Sequence, residues 1–297
     1  MLTLEGKIAL VTGASRGAGR GIAQELAMAG ATVYITGRSR TGNSTTQYDD
    51  LTLDETQKII QKDGGTAIPI TCDHTNAEQI RRVFGQIKDD ENRLDILVNN
   101  VWGGYTNEFG ELNIDTPSFT GSFWEQPLWR YDKMFTASAR AHFIASQLAA
   151  PLMIEQQSGL IVITSFWDSY KYLSNLPYDL VKTFKNRISF GMAIELKPHS
   201  VTALTLSLGW IRTEHLKREF NLDDFNYREQ EGFEKTESTR FAGRAIVAFA
   251  SDPNLIKHTG KIYTTAEVAR IYDFTDLDGT QPEYYSIADK SAGLTQR

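Results

Sequence analysis

Tyr178 and Lys182, in the stretch LPYDLVKTF (176–184), stand four positions apart in a segment whose apolar residues recur with helical spacing. Residues four apart on a helix share one face, with about 5–6 Å between Cβ atoms, so the arrangement holds an ammonium beside a phenol. Two readings are open. In one, the lysine stem covers the ring as an ordinary surface pair. In the other, the cation lowers the phenol's pKa and makes it a usable proton donor or acceptor near neutral pH.

A second group lies near the N-terminus. In VTGASRGAGRG, Gly13, Gly17 and Gly19 follow a G-x-x-x-G-x-G spacing between the first apolar run and a helical pattern. Glycines there let a backbone approach the pyrophosphate of a dinucleotide, and the free N–H groups of the helix start favour an anion. Ordinary tight turns also use glycine, but the position after the first strand of a βαβ unit favours the phosphate reading. Ser15, Arg16 and Ala18 share this loop and count as cofactor-binding candidates with its glycines. The second strand ends YITGRS, with Arg38 and no acidic residue for a ribose 2′-hydroxyl. Arg38 and Arg16 together favour a 2′-phosphate, and so NADP(H) over NAD(H).

These groups need elements to position them. Short β-branched runs alternate with longer helical patterns, the signature of a parallel sheet flanked by helices. The expected order is a strand at 7–13, a helix at 21–30, a strand at 31–37, a helix opened by Thr52 and Glu55, a strand at 66–73, a helix from 77 and a strand ending at Val101. A single long helix over 131–153, a strand at 158–166, the helix of the Tyr–Lys pair, a strand at 201–209 and a short seventh strand in KIYTTAEVA follow. Residues 39–51 form a connection longer than most in α/β proteins, hence functional or mobile. The expectation is one Rossmann-type, doubly wound domain over 1–297, with an inserted aromatic loop at about 102–129 and a C-terminal extension at about 266–297.

The chain's 297 residues are 41% hydrophobic and 23% charged, with net charge −6, which suits a globular protein and argues against a general nucleic-acid binder. Nothing approaches a membrane span, and no leader is evident, so a cytoplasmic protein is expected. The lone Cys72 reads as a small buried hydrophobe, and the five histidines show no metal-ligand spacing.

TGASRGAG, NNV, Ser165 and YDLVK together resemble the short-chain dehydrogenase/reductase family over roughly residues 5–265, including its separation of thirteen residues between Ser165 and Tyr178. The segments around the inserted loop and the C-terminus look like a divergent branch, near dehydrogenase/reductase member one. The resemblance implies hydride transfer between a nicotinamide and a carbonyl or secondary alcohol. Ser165 would hold the carbonyl oxygen, Tyr178 would transfer the proton, and Lys182 would assist it and bind the nicotinamide ribose. It further places Asp73 near the adenine, Asn99 at the adenosine ribose, and Gly209, Ile211 and Thr213 along the carboxamide. Three departures stand out: Val101–Trp102 replaces the family's Ala-Gly, Leu208 replaces a proline, and Ser138 falls where a catalytic asparagine is expected.

Trp102, Trp167 and Trp210 each follow an element that ends at the cofactor, and Phe109, Phe123 and Trp124 fall in the inserted loop. They imply a pocket for a bulky hydrophobic carbonyl compound, or, for the loop residues equally, packing of the loop itself. By resemblance the helices around 130–150 and 178–195 build a homodimer or homotetramer. The leading expectation is thus an NADP(H)-dependent oxidoreductase acting on a small carbonyl or alcohol. An enoyl reductase uses a different Tyr-to-Lys spacing. The alternative from another class is an NADP(H)-binding sensor or scaffold with little catalysis.

Overall fold

The computed structural model describes residues 3–104, 121–168 and 171–288. Strands β1 (Ile8–Thr12), β2 (Thr32–Gly37), β3 (Thr66–Thr71), β4 (Ile96–Asn99), β5 (Gly159–Ser165) and β6 (Val201–Ser207) join one parallel sheet. Two three-residue strands, β7 (Trp210–Arg212) and β8 (Thr236–Ser238), pair as a separate parallel ribbon, and β9 (Ile262–Thr264) returns to the main sheet beside β6. The sheet order is β3-β2-β1-β4-β5-β6-β9. The chain reverses direction of travel between β1 and β4, and in such sheets ligands bind in the crevice outside the carboxyl ends of the strands there.

The central strands are apolar without alternation because both faces are covered. Helices α1 (Gly17–Met28) and α2 (Leu53–Lys62) lie on one face, together with α8 (Phe241–Ala250) and α9 (Thr265–Tyr272). Opposite them lie α3 (Ala77–Glu91), α5 (Ala141–Gln156) and α6 (Leu176–Leu196), with the short α4 (Leu128–Met134) leading into α5 and α7 (Glu214–Glu219) following β7. Leu26, Val33, Val98 and Ile246 sit in the first core, Phe84, Leu97, Ala145 and Ile161 in the second, all buried.

Several boundaries differ from the sequence reading. The first helix begins at Gly17, inside the glycine loop, because the loop's last turn is already helical. Thr52 does cap α2 by accepting from Glu55 N at 3.1 Å. The expected strand through KIYTTAEVA stops at Thr264, whose side chain and that of Glu267 form a reciprocal capping box that starts α9. The single helix over 131–153 is broken by a π-helical turn, Phe135–Arg140, between α4 and α5. The ribbon of β7 and β8 is too short to show a period of two in the sequence. Most of the inserted loop, including Phe109, lies outside the described residues, as do the last residues of the C-terminal extension.

Candidate active site

A cavity of about 690 Å³ opens at the carboxyl ends of the strands, a size within the range of small-molecule sites. At one end lies the glycine loop. Gly13 has φ +70°, and a Cβ there would stand 2.8 Å from the Val101 Cα; a Cβ on Gly19 would stand 2.2 Å from the Gly13 carbonyl oxygen. Both positions therefore require glycine. Asn100 stitches the loop to the end of β4, donating from Nδ2 to Thr12 O at 3.0 Å and Gly13 O at 3.1 Å. Arg20, which the sequence reading passed over, is buried and donates to Ser15 O at 2.6 Å, Asp50 O at 2.9 Å and Thr56 Oγ1 at 3.0 Å. The loop is thus held from beneath by a cation.

Ser15, Arg16, Gly17, Ala18, Arg38 and Asp73 all line this end. Burial and the neighbouring Arg38 both depress the pKa of Arg16, so two cations face one space. The Gly17 N–H, at the positive end of α1, already takes an anion from within the chain: Glu214 Oε2 accepts from it at 2.8 Å. A cradle that only glycine fits, a helix start that binds a carboxylate and a pair of arginines fit the phosphates of a nicotinamide dinucleotide. Residues 45–48 of the long connection also line the cavity, which favours a functional role for it. Asp73 faces the cavity while its carboxylate closes a turn on Thr75 N at 2.9 Å.

At the other end, Asn175 caps α6 by accepting from Tyr178 N at 2.9 Å, which starts the helix just before the Tyr–Lys pair. Tyr178, Lys182 and Ser165 line the cavity together. Lys182 Nζ lies 4.9 Å from the Tyr178 ring centre and 4.6 Å from that of Trp102. The Trp102 and Tyr178 rings meet edge to face, their centres 5.6 Å apart. Burial pushes the Lys182 ammonium down to about 7. One turn on from the half-buried Lys182, Lys185 is fully buried, donating to Thr164 O at 3.2 Å with Nζ 5.1 Å from the Trp102 ring centre. Burial and the Lys182 charge hold its pKa well below the usual lysine range. The sequence signalled no burial for Lys185, since an amine on a helix reads as solvated.

Gly209, Ile211 and Thr213 line the cavity between these ends, with Trp210. A Cβ on Gly209 would stand 2.7 Å from Glu237 Oε2, so a side chain there would displace that carboxyl. Glu237 is buried, accepts from Thr265 Oγ1 at 2.5 Å and from the Gly209 N–H, and is pushed by burial up to about 8. It was not legible as a site residue, and it fixes the segment from β8.

Three candidates stand elsewhere. Asn99 turns into the core and donates to Ser146 Oγ at 2.9 Å, while the next residue, Asn100, reaches the cavity, because successive side chains of a strand point to opposite sides. Ser138 is fully buried in the π turn, its hydroxyl donating back to Met134 O, and it is not among the lining residues; Ala137 is. Trp167 is replaced on the wall by Phe166, and the Trp167 backbone is pinned through its N–H to Ser207 Oγ at 2.7 Å. Phe123 and Trp124 are exposed. Among the described residues no cluster of three or more metal-ligating side chains occurs, and no helix is long and apolar enough to cross a membrane.

Comparison with known proteins agrees with this geometry. The family model for short chain dehydrogenases matches residues 7–223. Human dehydrogenase/reductase SDR family member 1 is 34% identical over 98% of this chain and 91% of its own. The 7alpha-hydroxysteroid dehydrogenase of Escherichia coli K12 is 27% identical over 73% of this chain and 75% of its own. Among solved structures, a hydroxysteroid dehydrogenase from Escherichia coli superposes with a TM-score of 0.69 at 24% identity, covering 89% of this chain and 97% of the other. A metagenomic short-chain oxidoreductase in complex with NADP does so at 0.66 and 21%, covering 88% and 96%. The chain belongs to the short-chain dehydrogenase/reductase family of oxidoreductases.

Proposed function

We propose that the protein is an NADP(H)-dependent oxidoreductase that interconverts a bulky hydrophobic ketone or aldehyde and its alcohol. The observation that carries this reading is the single cavity with Tyr178, Lys182 and Ser165 at one end and the glycine cradle with Arg16 and Arg38 at the other. The bound nicotinamide supplies or accepts the hydride. Gly13, Gly17 and Gly19 give the phosphates a close backbone, and Arg16 and Arg38 supply the charge that a 2′-phosphate would need. Ser165 holds the substrate oxygen by a hydrogen bond. Tyr178 gives that oxygen its proton in reduction and takes one in oxidation. The Lys182 charge beside the ring favours proton release from the phenol. Phe166, Trp102 and Trp210 exclude water and favour apolar substrates.

Ser138 contributes the backbone of the π turn rather than a hydroxyl at the reacting atoms. Exposed Phe143, Leu180, Phe184, Phe190 and Ile194 on α5 and α6 support a helix-to-helix contact between two copies.

The test is NADPH oxidation, followed by absorbance, against bulky ketones, quinones and aldehydes. Tyr178→Phe is expected to keep NADPH affinity within about twofold and to lose at least ~99% of turnover. A near-full rate in that variant refutes the proton-transfer role. Tight binding of NADPH by the wild type without turnover on any compound would favour a sensor or scaffold.

A further inference from the structure

The loop leaving β5 is tied to the C-terminal extension by a buried carboxylate. Asp168, three residues beyond Ser165 and only 3% exposed, accepts from Ile287 N at 2.7 Å and from Ser286 Oγ at 3.2 Å to each oxygen. Lys171 closes the knot, its Nζ 3.2 Å from Asp168 Oδ2, 2.6 Å from Ser286 Oγ and 3.0 Å from Ile287 O. Tyr284 adds a hydrogen bond from its hydroxyl to Trp167 O. Chain ends ordinarily fray, and a carboxylate leaves water only where several donors satisfy it. Here the donors come from a segment more than a hundred residues away in sequence.

The knot delivers two side chains to the cavity. Tyr285 and Ile287 line it together with Ser165 and Tyr178. The Tyr285 ring centre is 5.6 Å from that of Trp210 and 6.4 Å from that of Phe166, so three rings from three separate segments meet at the substrate end. A tail serving only to cover the core would bury these side chains against the core and leave the cavity alone.

We propose that residues 284–287, latched by Asp168, form the wall that selects the substrate, with Tyr285 the specificity-determining side chain. The class it fits is a carbonyl compound bearing a ring or a long apolar arm, stacked against Tyr285 and Trp210. This deepens the oxidoreductase reading and rests on it for the identity of the reaction. Asp168 is a positioning residue that acts through the tail.

The experiment compares the full-length wild type with Tyr285→Ala, Asp168→Ala and the milder Asp168→Asn. Turnover of an aryl ketone and of a small aliphatic ketone is measured with NADPH. Ketone binding is followed separately by intrinsic fluorescence, and the tail by limited proteolysis. Tyr285→Ala should change the kcat/KM ratio between the two ketones by at least about tenfold, mainly through KM, with NADPH affinity within about twofold. Asp168→Ala should expose the tail to cleavage about tenfold faster, with Asp168→Asn between it and the wild type. An unchanged ketone ratio in Tyr285→Ala, or a tail cut no faster in Asp168→Ala, overturns the proposal. A wild type that neither binds nor reduces either ketone also overturns it. A wild type that binds the aryl ketone through Tyr285 but reduces nothing removes the hydride-transfer reading and leaves the wall standing.

Discussion

Lys182 should weaken the fold that holds it. Burial lowers its pKa from 10.5 to about 7, and among the described residues no carboxylate offsets that cost. At about 1.36 kcal/mol per pH unit, that gap corresponds to roughly 4–5 kcal/mol of disfavoured charge. The sign follows from proton counting. Between about pH 7 and 10.5 the unfolded chain binds this proton and the folded chain does not, so stability rises with pH across that window and the full penalty stands below it. Lys182→Met keeps the apolar stem and removes the charge. It should therefore stabilise the protein by up to ~4 kcal/mol near pH 7, about 2 °C in Tm per kcal/mol for a chain of this size. The advantage should shrink towards zero near pH 10.5, the value at which the unfolded lysine titrates. Urea unfolding of both proteins without cofactor, read by tryptophan fluorescence at several pH values, measures the difference directly. A variant less stable than the wild type, or a gap indifferent to pH, would refute the claim that desolvation of Lys182 goes uncompensated by a carboxylate among the described residues.

Lys185→Met should act with the same sign, because burial and Lys182 both depress its pKa; urea midpoints below and above neutrality check it. Glu237 gives the opposite slope. Its folded-state pKa is raised from 4.5 to about 8, so its contribution is full below pH 4.5 and is lost as pH rises through about 8. Glu237→Gln should flatten that fall, worth up to ~5 kcal/mol, in thermal melts across the window. Arg38→Ala should weaken NADPH at least about tenfold while leaving NADH within about threefold, by fluorescence titration; equal losses would refute the 2′-phosphate assignment.

The features that were legible in the sequence are local ones. Gly13, Gly17 and Gly19 lie within one loop, and Tyr178 and Lys182 within one helical turn, so spacing alone places them. The alternation of strands and helices likewise needs no distant information. The misplacements have separate causes. Asn100 rather than Asn99 faces the cavity because the end of β4 decides which side chain turns outward, and one residue of register reverses the answer. Arg20 and Lys185 resemble solvated helix charges until the surrounding elements close over them. The Tyr285 wall depends on Asp168 meeting Ile287, a pairing that no periodicity records. Ser138 is placed by resemblance alone, and no local pattern announces the π turn that returns its hydroxyl to Met134 O.

That turn also changes what kinds of sequence change the site can absorb. A regular α-helix advances about 100° per residue, and a π turn accommodates one residue more than its neighbours. The turn therefore acts as a phase shifter between α4 and α5: Lys133 and Ala137 look into the cavity while α5 keeps its own face on the core. Substituting a residue within 135–140 alters one side chain. Winding the same residues into an unbroken α-helix would rotate all of α4 by about a quarter-turn against α5, carrying Lys133 off the cavity wall and Met134 out of its packing with Val181. Loss of one residue within 135–140 would turn the bulge into an ordinary α turn and leave that phase nearly unchanged, whereas a further insertion would not.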